Sequence, residues 1–342
     1  MNEQLSKQDL VNGASAPDWS ALNLIGESLA FREVLKLLEK WSAVNATVLL
    51  CGETGTGKEL AARAVHYCSQ RRSGPFVPLN CGAVPDDLFE AELFGHEKGA
   101  FTDAKGQSCG VAGLAEGGTL FLDEIDSLSP RSQAAILRFV QDRSYRPVGA
   151  TRFHLADVRL IAATNADLMA LSQVGRFRLD LLFRLDLLTL KLPPLRERPG
   201  DALLLAETFV QRFCAQYGAP GRRLSAASVA SLRGPHPWPG NVRELEHRVH
   251  RSFLLSNGPL IELGLTLVTS AALQDEDDRT GFVATSFAKA KARVIADFER
   301  RYVRDMLQQT QGNVSKAARL AGKERSRFGR LVSKYELNRL QN

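Results

Sequence analysis

Residues 52–58 read Gly-Glu-Thr-Gly-Thr-Gly-Lys, and residues 119–124 read Thr-Leu-Phe-Leu-Asp-Glu. The first run fits the phosphate-binding loop G-x-x-x-x-G-K, set between the apolar run 47–51 and a helical pattern from Glu59. Gly52, Gly55 and Gly57 free the backbone of Glu53, Thr54 and Thr56 to turn its N–H groups toward phosphate oxygens. The helix that follows adds its positive end, and Lys58 adds a mobile charge for the outer phosphates. The second run is an apolar strand ending in two carboxylates. Asp123 is placed to hold magnesium, and Glu124 to polarise an attacking water. Each motif alone is weak, but both in this order imply nucleoside triphosphate hydrolysis. Where many such loops continue with Ser or Thr, this one continues with Glu59, which leaves more of the magnesium to Asp123.

These residues need a scaffold that brings strand ends together. Apolar runs at 47–51, 76–80, 119–123, 158–163 and 186–191 alternate with helical patterns at 28–41, 59–70, 86–94, 130–143 and 178–184. That alternation predicts an α/β fold with a mostly parallel sheet covered on both faces. From Gly200 to Ser256 the pattern is purely helical, over 201–217, 225–233 and 241–256. Residues 264–285 lose periodicity around Asp275-Glu276-Asp277-Asp278 and read as a linker. The expected organisation is a flexible leader 1–22, an ATPase subdomain 23–195, a helical lid 196–263, the linker, and a C-terminal unit 286–342.

The 342 residues carry a net charge of +6, unevenly spread. Between Lys289 and Arg339 there are 14 Lys or Arg against five Asp or Glu, so the rest of the chain is slightly acidic. A basic terminal segment on a near-neutral body points to a nucleic-acid module. There, Asn313 to Ala321 reads as a helix, Gly322 as a turn, and Glu324 onward as a second helix: helix-turn-helix spacing. Ala317, Ala318 and Ala321 permit close crossing, with Leu320, Phe328 and Leu331 as apolar contact. Ser315, Lys316, Arg325, Ser326, Arg327 and Arg330 are the candidate DNA contacts. Five scattered cysteines without a C-x-x-C pair read as small buried hydrophobes in a reducing compartment. With no apolar leader and no 18-residue apolar span, the expectation is a cytoplasmic protein without a membrane partner.

Further runs complete a resemblance. These are Glu92-Leu93-Phe94-Gly95-His96-Glu97-Lys98-Gly99-Ala100-Phe101-Thr102-Asp103-Ala104, Ala163-Thr164-Asn165, Phe177-Arg178 with Phe183-Arg184, Leu192 to Arg198, and Trp238 to Leu245. With the phosphate loop they make the chain similar, over nearly its whole length, to the bacterial enhancer-binding proteins. Those are AAA+ activators of sigma-54 RNA polymerase, here with a Fis-type helix-turn-helix. Glu59 is the usual residue in that family.

The resemblance implies ATP with Mg2+ as cofactors and a division of labour. Asn165 resembles the sensor of the γ-phosphate, and Arg243 the second sensor, in the lid. Arg178 and Arg184 resemble arginines offered to a neighbouring subunit's nucleotide. Asn80 resembles the residue that holds Glu124 back until the ring is engaged. A site completed by a neighbour requires a ring, usually a hexamer, built from this chain alone or mixed with a relative. Gly99, Ala100, Phe101, Thr102, Asp103 and Ala104 match the sigma-contacting loop G-A-F-T-G-A, with Asp103 in place of its second glycine. About 22 residues precede the ATPase, so an attached receiver is not expected, and control is left to a partner protein (a trans-acting inhibitor or co-activator), to expression level, or to a co-assembled relative. The implied function is ATP-driven opening of sigma-54 promoters from upstream DNA. Two alternatives stay open: a DNA-binding AAA+ regulator that does not productively engage sigma-54, and a remodeller of a non-DNA substrate.

Overall fold

The computed structural model describes residues 17–100, 106–264 and most of 299–334. The chain divides into two compact units, 1–266 and 267–342.

In the first unit, α1 (Leu29–Ser42) leads into β1 (Val48–Cys51) and α2 (Lys58–Tyr67), then β2 (Phe76–Asn80), α3 (Asp86–Phe94) and α4 (Gly110–Leu114). Next come β3 (Thr119–Asp123), α5 (Pro130–Asp142), a hairpin of β4 (Ser144–Tyr145) and β5 (His154–Leu155), and β6 (Arg159–Thr164). Then α6 (Leu168–Gln173), α7 (Leu179–Leu185) and β7 (Leu188–Lys191) complete the layer. The five long strands form one wholly parallel sheet in the order β2-β3-β6-β1-β7. Both motif strands are therefore central, with β6 between them, and their C-terminal ends open on the same edge.

The strand period of two splits the core. Leu49, Leu120, Leu122, Leu160 and Ala162 pack with Phe89, Leu93, Ile136, Phe139 and Leu181 on one face. Val48, Leu50, Phe121, Ile161 and Ala163 pack with Phe31, Leu38, Ala61 and Val65 on the other. Such double-sided burial is why these strands read as continuous apolar runs. Local chemistry sets the helix starts: Ser129 caps α5 through Ser132 N, with Pro130 in the first turn.

The lid comprises α8 (Asp201–Tyr217), β8 (Arg223–Leu224), α9 (Ala226–Arg233), α10 (Asn241–Leu255) and β9 (Leu260–Ile261) around Phe209, Phe213, Trp238, Leu245, Val249 and Phe253. It is not purely helical: β8 and β9 pair in parallel. Two-residue strands carry too little periodicity to show in the sequence, and α4, α6 and the β4–β5 hairpin were hidden for the same reason. The cysteines also differ from expectation. Only Cys81 is buried, Cys51, Cys68 and Cys214 are half-buried, and Cys109 is exposed.

The second unit has helical residues within 299–307, then α11 (Val314–Leu320) and α12 (Arg325–Lys334). Asn313 caps α11 through Lys316 N, and Gly322 takes a φ of 60° in the turn. Val303, Leu307, Ala317, Ala318, Phe328 and Val332 make its core, with Leu331 packed against it. Leu320 does not contribute as expected. It is 63% exposed, because it lies off the face shared by Val314, Ala317, Ala318 and Ala321. The 264–285 linker, apart from Gly264, lies outside the described residues.

Candidate nucleotide site

At the C-terminal edge of the sheet a crevice of about 210 Å³ is lined by Thr54, Gly55, Gly57, Lys58, Glu59, Asp123, Glu124, Asn165 and Arg243, among others. Residues as far apart in sequence as Thr54 and Arg243, 189 positions, thus meet around one volume. Gly57 caps α2 at a φ of 99°, so the helix opens directly onto the crevice. Lys58 Nζ donates to the Gly52 and Glu53 carbonyls at 2.7 and 3.2 Å. Burial pushes the Lys58 ammonium below its usual range, while Asp123, Asp126 and Glu124 oppose that shift. Burial likewise raises the Asp123 carboxyl, against the Glu124 N–H that it accepts at 3.0 Å. Both groups gain from a ligand that brings phosphate to Lys58 and a cation to Asp123.

Glu124 sits at φ 54° and ψ 46°, left-handed for a residue with a side chain. Such strain costs about 1–3 kcal/mol and is retained where geometry serves function. Asn165 Nδ2 donates to Thr54 Oγ1 at 3.3 Å, which places the β6 end over the phosphate loop. Asn80 faces Asp123 in register on β2, but it is not bonded to Glu124. Its carbonyl oxygen accepts from Gly82 N at 2.8 Å and Ala83 N at 3.1 Å, turning the chain after β2. Glu124 Oε2 lies across Gly82 from it. Holding Glu124 would take the Asn80 Nδ2 donor, which makes no hydrogen bond to Glu124 in this conformation, while the Asn80 oxygen is tied to the turn.

Arg178 and Arg184 do not line the crevice. Arg178 forms a bidentate pair with Asp180 at 3.0 and 2.7 Å. Arg184 is exposed and has no partner among the described residues, and Leu179, Phe183 and Leu187 on the same stretch are 47%, 64% and 65% exposed.

Sequence reasoning assigned no role to Arg196 or Asn241, yet both grip the phosphate loop. Arg196 pairs with Glu53 through two bonds of 2.8 and 2.6 Å. Asn241, fully buried at the start of α10, donates to Glu53 Oε2 and Thr54 O and accepts from Leu195 N. Val242 N donates to Gly55 O at 3.0 Å, and any side chain on Gly55 would collide with the Gly240 carbonyl. Both residues lie inside motifs read as family marks; only the folded chain shows that they meet at Glu53. Arg196, then Asn241, hold the Glu53 carboxyl down to about 2. A depressed carboxylate stabilises fully above its ordinary value of 4.5 and loses that contribution as pH falls toward 2. Solvent exposure of the pair keeps the contribution of this latch small. Glu53→Gln should therefore lower the Tm at pH 7, and the gap to wild type should narrow below pH 4. A gap independent of pH would show that the carboxylate charge is not what closes the latch.

The loop carrying Gly99 and Ala100 has a structured base. His96 and Ser108 exchange backbone hydrogen bonds at 2.9 Å, and Val148 of the hairpin bonds Gly95 O and Glu97 N at 2.8 and 3.0 Å. Loop base and hairpin are thus one hydrogen-bonded body. Phe101, Thr102, Asp103 and Ala104 lie outside the described residues. In the second unit Ser315, Lys316, Arg325, Ser326, Arg327 and Arg330 are all exposed, as a groove-facing set must be.

Three family models cover this architecture in order: a sigma-54 interaction domain at residues 24–191, an AAA+ ATPase lid domain at 196–279, and a bacterial regulatory protein, Fis family, at 294–330. NtrX from Brucella abortus, solved in complex with ATP, superposes with a TM-score of 0.70 at 31% identity, covering 91% of this chain and 68% of NtrX. The chain belongs to the sigma-54 activator family. Its fold is the AAA+ P-loop NTPase fold with a lid and a Fis-type helix-turn-helix. Among the similar regulators in this family are the phenol regulator MopR of Acinetobacter guillouiae, 40% identical over 94% of this chain, and FlbD of Caulobacter vibrioides, 41% identical over 86%. The chain spans 57% of the length of MopR and 66% of that of FlbD. No helix among its described residues is long and apolar enough to cross a membrane.

Proposed function

We propose that this sigma-54 activator family member hydrolyses ATP in a ring, usually hexameric, and uses the energy to open sigma-54 promoter complexes from upstream DNA. The observation that carries the proposal is the shared crevice, where phosphate loop, acidic strand end, Asn165 and lid Arg243 converge. The backbone of 52–57 and Lys58 bind the phosphates. The oxygen donor at Asp123, half-buried beside Lys58, fits a magnesium ion shared with the nucleotide. When bound, that ion would neutralise charge on the outer phosphates. Glu124 orients water and accepts its proton. Asn165 registers the γ-phosphate from β6, and Arg243 ties nucleotide state to lid position. Arg178 and Arg184 serve the adjacent subunit, and the apolar stripe of Leu179, Phe183 and Leu187 gives that subunit a surface to cover.

Nucleotide-driven movement of β6 and the lid would reach the Phe101 tip through the body at Gly95, His96 and Val148. The α11–α12 unit would read a major groove, and its basic side chains make that binding salt-dependent. Cytoplasmic placement, assembly alone or with a relative, and control by an inhibitor or co-activator in trans belong to the same proposal.

The test is open-complex formation on a sigma-54 promoter with ATP or a non-hydrolysable analogue. Opening with ATP only is the expected result, and Phe101→Ala should keep near-normal hydrolysis while losing opening. Equal loss of both would remove the loop from the mechanism. Hydrolysis without opening in the unaltered chain would favour the regulator that does not engage sigma-54. Asp103→Gly would then show whether that residue is the reason.

A further inference from the structure

The opposite edge of the sheet, where the strands begin, gathers cations that hydrolysis does not use. Arg159 opens β6, Arg143 follows α5, and Arg71 follows α2, and all three line one crevice of about 200 Å³. A second crevice of about 290 Å³ shares Arg71, Asp157 and Arg159 and adds Ser69 and Ser73.

Arg159 is 2% exposed, with no carboxylate partner. Its Nη atoms donate to the Trp41 and Ser42 carbonyls at 2.7 and 3.2 Å, so it caps the end of α1, while its buried Nε has no partner. Arg143 makes only long bonds, to Val158 O at 3.4 Å and Thr47 Oγ1 at 3.3 Å. Arg71 pairs with the Asp157 carboxylate and also donates to Asn45 and the Asp157 carbonyl. Asp157 is the one carboxylate lining either crevice, and its own N–H leans on Glu116 at the rim. Three guanidiniums against one carboxylate leave a formal +2 in a partly buried space. Burial, and then the charge of Arg71, depress both Arg143 and Arg159, as expected of cations short of counter-charge.

We propose that this crevice binds a free phosphate-class anion, inorganic phosphate or a phosphoanhydride, forked between Arg71 and Arg143 with Arg159 beneath. Planar guanidinium donors at fixed angles match the oxygens of such a ligand. A free anion suits the site better than a polymer, because Asp157 and Glu116 put negative charge on the rim where a polyanion would have to continue. The location suggests regulation. Arg143 and Asp157 flank the β4–β5 hairpin whose Val148 holds the base of the 95–108 loop. An occupant would fasten the feet of that hairpin to the sheet.

The experiment is a pyrophosphate titration of the full chain with the nucleotide crevice saturated by ADP, read by thermal unfolding. A rise in Tm of about 5 °C is expected at a hundred-fold excess over Kd. Arg71→Gln and Arg143→Gln should each abolish most of the rise, while Arg146→Gln, an exposed hairpin cation outside both crevices, should leave it intact. Asp157→Asn should act in the other direction and shift the titration to lower concentrations. No rise in the unaltered chain, or the same rise in both arginine variants, would overturn the proposal. Should an arginine variant not fold, Asp157→Asn decides: tighter binding supports the site and unchanged affinity removes it. Displacement of pyrophosphate by a short random duplex would overturn the free-anion assignment in favour of a nucleic-acid backbone.

Discussion

Replacing Glu124 by Gln is expected to slow ATP hydrolysis by about 10²- to 10⁴-fold, the usual contribution of a general base. Binding of ATP should be nearly unchanged, because the groups proposed to face the phosphates, the loop backbone, Lys58 and Asp123, are untouched. The substitution is isosteric, and Glu124 makes no side-chain hydrogen bond that Gln would break, so the left-handed turn at φ 54° should persist. Single-turnover hydrolysis alongside equilibrium nucleotide binding separates the two quantities. A loss of affinity comparable to the loss of rate would mean that Glu124 holds the nucleotide or its metal. A rate within about ten-fold of wild type would mean that another group orients the water. In that event Asp126 would be the next candidate, held at 2.5 Å by Thr164 Oγ1.

The residues lining the crevice were legible because a phosphate-loop pattern constrains backbone as well as side chains. Glycines at fixed spacing before Lys58, and an acidic pair after four buried residues, have few other uses in that order. The five sheet strands were legible for a related reason: strands covered on both faces must be apolar at nearly every position. What escaped were contacts that depend on two distant segments arriving at one point. Arg196 and Asn241 are separated by 45 positions, and nothing local says that Glu53 lies between them. Asn80 ends β2 beside Asp123, but the turn that follows ties down its side-chain oxygen, and no local pattern shows that. Leu320 shows the converse limit, since an apolar residue one position off a helix face is simply exposed. Short pairs such as β8 with β9 have no period to read.

Replacing Arg184 by Ala is expected to lower hydrolysis by about 10³- to 10⁵-fold, the range for an arginine completing a phosphoryl-transfer site from outside. Arg184 is the stronger candidate of the two arginines. Arg178 already has a carboxylate in Asp180, whereas Arg184 stands exposed and uncompensated beside Phe183 and Leu187. A neighbour that covers this apolar stripe would bring its own nucleotide to the guanidinium. The decisive measurement mixes two inactive chains, Arg184→Ala and Glu124→Gln. Where a Glu124→Gln subunit offers its intact Arg184 to the crevice of an Arg184→Ala subunit, one complete site is restored. With random assembly and independent sites about one quarter of interfaces are complete, so the mixture should recover roughly that share of wild-type hydrolysis. No recovery, with mixed assembly verified, would place Arg184 in service of its own subunit, and the exposed stripe of Leu179, Phe183 and Leu187 would then need another partner.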